Sequence, residues 1–177
     1  MTIVDRRALY QGHLRVQQVT VRDEAGQERK LEVVERRDAV AALVLDPGRQ
    51  RYLLVEQWRA GAEAPLLELP AGLIDEGEDP ATALRRELEE ELGGRVGELT
   101  AIATFYTTPG FCTEQIHLFY AELTERTGAG GGKAEEGEQL EVRELTWDEL
   151  AARPLRDAKT LVAVEWARSR REAGAGQ

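Results

Sequence analysis

Apolar and polar positions change their period several times along the chain, and each change predicts a different element. Between His13 and Arg22 the β-branched residues Val16, Val19, Thr20 and Val21 predict a strand. A polar turn, Asp23-Glu24-Ala25-Gly26-Gln27, leads into Lys30 to Glu35, which runs back as the second arm of a hairpin. Ala39 to Leu45 (AVAALVL) is apolar throughout, the pattern of a strand buried on both faces. Asp46-Pro47-Gly48 is a turn signal, and Arg51 to Trp58 reads as the next strand. Pro70 to Asp79 reads as a loop carrying Gly72 and Gly77. Asp79 is then an N-cap ahead of Pro80, and a helix is expected from Pro80 to Leu92, stopping at Gly93-Gly94. Strands are expected at Leu99 to Thr107, Gln115 to Leu123 and Gln139 to Thr146, with a Gly-rich acidic loop from Thr127 to Gly137 before the last of them. A short helix from Trp147 to Arg153 and a longer amphipathic one from Asp157 to about Glu172 follow, then a frayed tail.

Strands and helices are interspersed without regular alternation. That predicts an α/β protein of mixed α+β character, with a mixed sheet flanked by helices on both sides, rather than a doubly wound fold. Neither G-x-G-x-x-G nor a Walker-type phosphate loop occurs in the sequence.

Charge narrows the partners. The 177 residues carry 23 basic and 33 acidic side chains, a net charge of −10, which speaks against nucleic acid because no basic face is evident. An anionic substrate would then need help, and divalent cations held by carboxylates are the natural means. Cys112 is the single cysteine, so no intrachain disulfide can form and a reducing cytoplasm is expected. The opening Met1-Thr2-Ile3-Val4-Asp5-Arg6-Arg7 lacks a signal-peptide core, and no apolar run approaches the roughly 18 residues of a membrane span.

The central helix places Glu87, Glu90 and Glu91 three and four residues apart, hence on one face. Like charges at that spacing repel, so such a cluster is either solvated or neutralised by a cation. Its surroundings favour the cation. Gly72, Glu78, Arg86, Glu87, Leu88, Glu90, Glu91 and Gly93 stand at the spacing G-x5-E-x7-R-E-U-x-E-E-x-G, with U a bulky apolar residue. This resembles the Nudix box, over residues 72–94, with one departure: Gly94 occupies a position that is usually apolar. The resemblance implies a Nudix α/β/α sandwich and a pyrophosphohydrolase using Mg²⁺, with Mn²⁺ as a possible substitute. It implies metal ligands at Glu87, Glu91, the nearby Glu90 and the backbone carbonyl of Ala71, with Glu91 also central to catalysis. Glu78 and Arg86 would form a bracing ion pair.

Features outside the box resemble the ADP-ribose pyrophosphatase subgroup. They are Glu68-Leu69-Pro70-Ala71-Gly72-Leu73-Ile74-Asp75, Glu56-Gln57-Trp58-Arg59, and Tyr106-Thr107-Thr108-Pro109-Gly110-Phe111, whose proline stands 16 residues after the final glycine of the box. Asp157-Ala158-Lys159-Thr160-Leu161 is similar to the start of that group's C-terminal helix. The resemblance implies substrate contacts at Arg59, Glu68, Arg37, Leu73 and Pro109, with Arg36 a weaker candidate. The general base, or an additional metal ligand, would come from the acidic loop, at Glu138 or Glu136 ahead of Glu135. It also implies a homodimer in which the N-terminal hairpin region, residues 1–38, reaches across from the main domain, residues 39–177. Tyr10 is a possible stacking residue there.

ADP-ribose, split to AMP and ribose 5-phosphate, is the leading substrate. GDP-mannose or ADP-glucose would use the same box. A non-catalytic ADP-ribose sensor would tolerate degenerate box carboxylates, which this sequence does not have. His13 and His117 are too isolated for a metal site, and Cys112 has no evident base.

Overall fold

The computed structural model describes residues 1–132 and 140–175. Those residues form ten strands and three helices. The strands are β1 (Thr2–Gln11), β2 (Arg15–Arg22), β3 (Glu28–Glu35), β4 (Ala39–Asp46), β5 (Arg51–Arg59), β6 (Ala64–Glu68), β7 (Ala71–Leu73), β8 (Gly94–Tyr106), β9 (Gln115–Arg126) and β10 (Leu140–Leu145). The helices are α1 (Pro80–Leu92), α2 (Trp147–Ala151) and α3 (Ala158–Ala175). No helix of the described residues is long and apolar enough to cross a membrane.

The chain divides into two compact units. Met1–Asp38 and Phe105–Ile116 make up the first. It contains a three-stranded antiparallel sheet in the order β1-β2-β3, one strand more than the expected hairpin. Sequence patterning missed β1 because Asp5, Arg6 and Arg7 interrupt any alternation, and every residue of the strand is exposed. The return segment is tied to β3 by backbone bonds from Val34 to Phe111 (2.7 Å) and from Thr113 to Val34 (3.1 Å).

Ala39–Thr104 and His117–Gln177 form the second unit. Its mixed seven-stranded sheet has the order β10-β5-β4-β9-β8, with β6 added on β5 and β7 on β4. The β4–β5 pairing covers Val44 to Asp46 against Arg51 to Leu53. Beyond that the two strands part. The start of β4 pairs with β7, the end of β5 pairs with β6, and Leu69-Pro70 sits in the opening. Both faces of β4 are buried, as its unbroken apolar run requires. Val40, Ala42 and Val44 pack with Leu53, Val55 and the Ala83, Leu84, Leu88 and Leu92 stripe of α1. The alternate residues Ala41 and Leu43 point to the other side, where α3 packs on β4. Each fully buried leucine of the α1 stripe contributes about 1.5–3 kcal/mol of apolar burial.

Local chemistry sets the ends of α1. Asp79 accepts the N–H groups of Ala81 (3.0 Å) and Thr82 (3.1 Å), and Pro80 opens the helix. Gly93 closes it in the left-handed region at φ 62°, its N–H bonded to the Glu89 carbonyl. The loop after β9 then folds back on this end. Thr127 and Gly128 donate to the Gly93 carbonyl (2.7 and 3.0 Å), and Gly131 donates to the Glu91 carbonyl at 2.8 Å. These bonds satisfy carbonyls that a helix end leaves open.

Gly130 has φ 68°, and a Cβ there would lie 2.3 Å from the Glu91 carbonyl oxygen and within 2.8 Å of the Leu92 backbone. Gly130→Ala is therefore expected to destabilise the protein by about 1–3 kcal/mol in urea unfolding. Gly128→Ala, whose Cβ would meet nothing within 4 Å, is expected to stay within about 0.5 kcal/mol of wild type. Equal stabilities for the two variants would show that the loop does not hold this contact in solution.

Candidate active site

The backbone from Glu68 to Leu73 runs through the opening between β4 and β5, and α1 lies against it. Several charged side chains of the second unit collect on this segment.

Arg86 is the hub of the first cluster. Its guanidinium donates to Glu78 through Nε (3.3 Å) and Nη2 (3.0 Å), to Glu87 Oε1 through Nη1 (2.6 Å), and to the Leu73 carbonyl through Nη2 (3.1 Å). Glu90 Oε2 lies 3.6 Å from Nη1 and Asp75 Oδ2 3.8 Å from Nη2. The bond to Glu78, with the Glu87 contact behind it, raises the arginine's pKa further above its ordinary range. Hydrogen bonding from Arg86 holds Glu78 below the usual glutamate value. Glu78 also accepts the N–H of Asp75, so it closes the loop on itself while bracing the helix.

Glu87 lies against Gly72: a Cβ at that glycine would fall 1.9 Å from the Glu87 carboxyl carbon. The absence of a side chain at position 72 is what gives the carboxylate its place over the loop. Glu91 is 6% exposed and accepts the Ala71 N–H through Oε2 at 3.0 Å. Among the described residues no three His, Cys, Asp or Glu side chains converge at metal-ligating distance. In this arrangement Arg86 and the Ala71 N–H are the groups that neutralise Glu87 and solvate Glu91. The donor set still suits a hard cation: two carboxylates one helical turn apart, beside a loop whose backbone approaches them closely. Glu87, Glu90, Glu91 and the Ala71 carbonyl are the groups that would hold it.

A second cluster sits on the other end of the same segment. Glu68, 2% exposed, receives Arg59 in a forked pair, Nε to Oε1 at 2.7 Å and Nη2 to Oε2 at 2.8 Å. Lys159 Nζ donates to Glu68 Oε2 at 2.5 Å and to Asp157 Oδ1 at 3.0 Å. Burial pushes the Glu68 carboxyl up, but the hydrogen bonds of Arg59 and the charge of Lys159 outweigh it and hold the group below its ordinary value. Arg59 is raised, first by Glu68 and further by the charges of Asp157 and Glu91. The resemblance assigns both Arg59 and Glu68 to the substrate, and in the structure the two are paired with each other. It gives no role to Lys159 or Thr160, although the Asp157-Ala158-Lys159-Thr160 segment stands out. The missing information is a pairing across 91 positions, which only the fold supplies.

The remaining expected residues divide between the two units and the segment outside the described residues. Leu73 lies on β7, half-buried, opposite Ala39. Arg37 is an exposed residue of the first unit, in the link after β3. Pro109 also belongs to that unit, in a turn closed by bonds from Phe111 (3.1 Å) and Cys112 (2.9 Å) to the Thr108 carbonyl. Tyr10 is 57% exposed on β1. Arg36 pairs with Glu114 at 2.9 Å. Glu135, Glu136 and Glu138 lie outside the described residues.

The chain is similar to several known proteins. Residues 35–166 match the model of the NUDIX domain. An ADP-ribose pyrophosphatase of Bacillus subtilis (strain 168) is 38% identical over 150 residues, covering 80% of this chain and 77% of the relative. A methanol dehydrogenase activator of Bacillus methanolicus is 36% identical over 146 residues, with 80% and 77% covered. A GDP-mannose pyrophosphatase of Cronobacter sakazakii (strain ATCC BAA-894) is 34% identical over 146 residues, with 77% and 76% covered.

The buried Glu68 pair makes stability depend on pH. Because the folded-state pKa of Glu68 lies below the ordinary 4.5, its contribution is present above 4.5 and is lost as pH falls through the lower folded value. Glu68→Gln is expected to lose about 2 kcal/mol at pH 7, discounted because Arg59 is half exposed, and to show a shallower stability decline on acidification. Urea midpoints of both proteins between pH 7 and pH 3 provide the check; parallel curves would remove Glu68 from the acid transition.

Proposed function

The chain belongs to the Nudix family of pyrophosphohydrolases, and from that premise we propose that it hydrolyses ADP-ribose to AMP and ribose 5-phosphate with Mg²⁺. The observation that carries this reading is the pair of carboxylates, Glu87 over Gly72 and Glu91 on the Ala71 N–H, set beside a loop that can add a backbone carbonyl. The substrate assignment draws on the Bacillus subtilis relative and on the proline segment at Pro109.

A bound divalent cation supplies charge neutralisation of the diphosphate and a more acidic water. The chain's own residues provide the rest. Arg86 and Glu78 hold the loop against the helix, so that Glu87, Glu91 and the Ala71 backbone keep one geometry. Arg59, fixed by Glu68, offers a forked donor to a diphosphate oxygen. Leu73, Arg37 and Pro109 are assigned to the substrate by resemblance. Glu138 or Glu136 is assigned the base on the same ground, as is a role for Mn²⁺ in place of Mg²⁺.

A second reading, a pyrophosphatase of GDP-mannose, is favoured by relatives named for that activity. We also read the protein as a homodimer. The support is β1, whose Ile3, Val4, Leu9 and Tyr10 are all at least 40% exposed, a large apolar surface for a single strand. A reducing cytoplasm is the compartment suggested by the single cysteine.

Purified protein incubated with ADP-ribose is expected to release AMP only when Mg²⁺ is supplied. GDP-mannose as the faster substrate would install the second reading. Glu91→Gln keeps an oxygen for the Ala71 N–H but loses the charge, so the fold should hold while turnover falls roughly a hundredfold or more. Near-normal turnover would remove Glu91 from the metal set. Glu138→Gln is expected to reduce turnover with little change in the Mg²⁺ dependence. A larger loss in Glu136→Gln would move the base two positions along the loop.

A further inference from the structure

Three consecutive backbone positions in the opening of the sheet are held by three different elements. The Leu69 N–H donates to Thr160 Oγ1 on α3 at 2.9 Å. The Pro70 carbonyl accepts the Ala42 N–H of β4 at 3.2 Å. The Ala71 N–H donates to Glu91 Oε2 on α1 at 3.0 Å. Pro70 fixes its own φ, so there is little slack between the Leu69 anchor and the backbone of Ala71.

Thr160 has no solvent exposure and is bonded on two sides. Its hydroxyl donates to Asp157 Oδ2 at 2.6 Å, and its N–H donates to the same oxygen at 3.0 Å. Asp157 thereby caps the first turn of α3, and it also sets the direction of the hydroxyl. With its proton committed to Asp157, Oγ1 presents lone pairs to the Leu69 N–H. Lys159, the residue before Thr160, reaches Glu68. Residues 159 and 160 thus hold residues 68 and 69 in step, one by charge and the other by a neutral hydrogen bond.

We propose that Thr160 is a positioning residue for cation binding: through the Leu69 N–H it sets the Pro70-Ala71 backbone against Glu91, with Asp157 orienting its hydroxyl. This rests on the reading that Ala71 and Glu91 belong to the metal set. It gives the start of α3 a function in the site without contact with metal or substrate. A valine at 160 would keep the shape and leave the Leu69 N–H buried without an acceptor, so the backbone would shift to find one.

The test is direct Mn²⁺ binding to the protein alone, followed by the electron paramagnetic resonance of the free ion, with thermal unfolding measured on metal-free samples. Thr160→Val is expected to bind Mn²⁺ about tenfold more weakly, as loss of an outer hydrogen bond to a metal site does. Thr160→Ser, which keeps the hydroxyl, is expected to match wild type. Wild-type affinity in Thr160→Val overturns the proposal, whatever happens to its melting temperature. So does Thr160→Ser binding as weakly as Thr160→Val. If the wild type itself binds no Mn²⁺, the metal reading of Glu91 and Ala71 fails and the proposal falls with it. Should Thr160→Val not fold, Asp157→Ala removes the orienting acceptor from a half-buried position. A loss of Mn²⁺ affinity there supports the proposal, and unchanged affinity overturns it.

Discussion

Glu87, Glu90 and Glu91 crowd three negative charges onto one face of α1, and Arg86 is the cation placed among them. Helix repulsion at this spacing is modest where water can screen it, but Glu91 is buried and screening is reduced. Arg86 answers with all three nitrogens, to Glu78, Glu87 and the Leu73 carbonyl. The same side chain therefore settles the electrostatics of the helix and the path of the loop beside it. That bridge adds to the bond between Glu91 and the Ala71 N–H in giving the helix and the loop backbone a common frame.

The sheet provides the place where this can happen. A continuous β4–β5 ladder would close the site; parting beyond the Val44–Leu53 pair lets β6 and β7 enter and brings Leu69-Pro70 into the middle of the sheet. Backbone groups there have no regular ladder partner, and each must be satisfied individually. The partners come from elements covering both faces: Glu91 on α1 and Thr160 on α3. Polar groups at the centre of an α/β protein are thus a consequence of opening its sheet, and the opening is where chemistry can be done.

What was legible in the sequence follows the range of the interactions. Both ends of α1 were readable because Asp79-Pro80 and Gly93 act within one turn. The buried strand β4 was readable from its unbroken apolar run. β6 and β7 were not, since Pro65 and Gly72 argue locally for a loop and the two strands exist only because β4 and β5 diverge. The box glutamates were visible as a face and as a spacing, yet Glu87 finds its place through Gly72, a relation between helix and loop. The Lys159–Glu68 and Thr160–Leu69 contacts each join residues 91 positions apart, and no local pattern signals them.

The forked bond between Arg59 and Glu68 bears on how a diphosphate could be held. A free arginine on a strand end has four rotatable bonds to immobilise on binding, whereas Arg59 already has one edge fixed by Glu68. That edge uses Nε and one hydrogen of Nη2, which leaves Nη1 and the second hydrogen of Nη2 as another fork. With the side chain 46% exposed, this second fork can be reached from solvent. Glu68 stays charged in so buried a place because two cations face it, Arg59 through the forked bond and Lys159 beside it. Lys159 is also paired with Asp157, so two cations face two carboxylates and the cluster is balanced in charge. In a chain of net charge −10, the cluster therefore meets an anionic substrate with directed donors rather than excess charge, and neutralisation falls to a cation that the glutamates would hold.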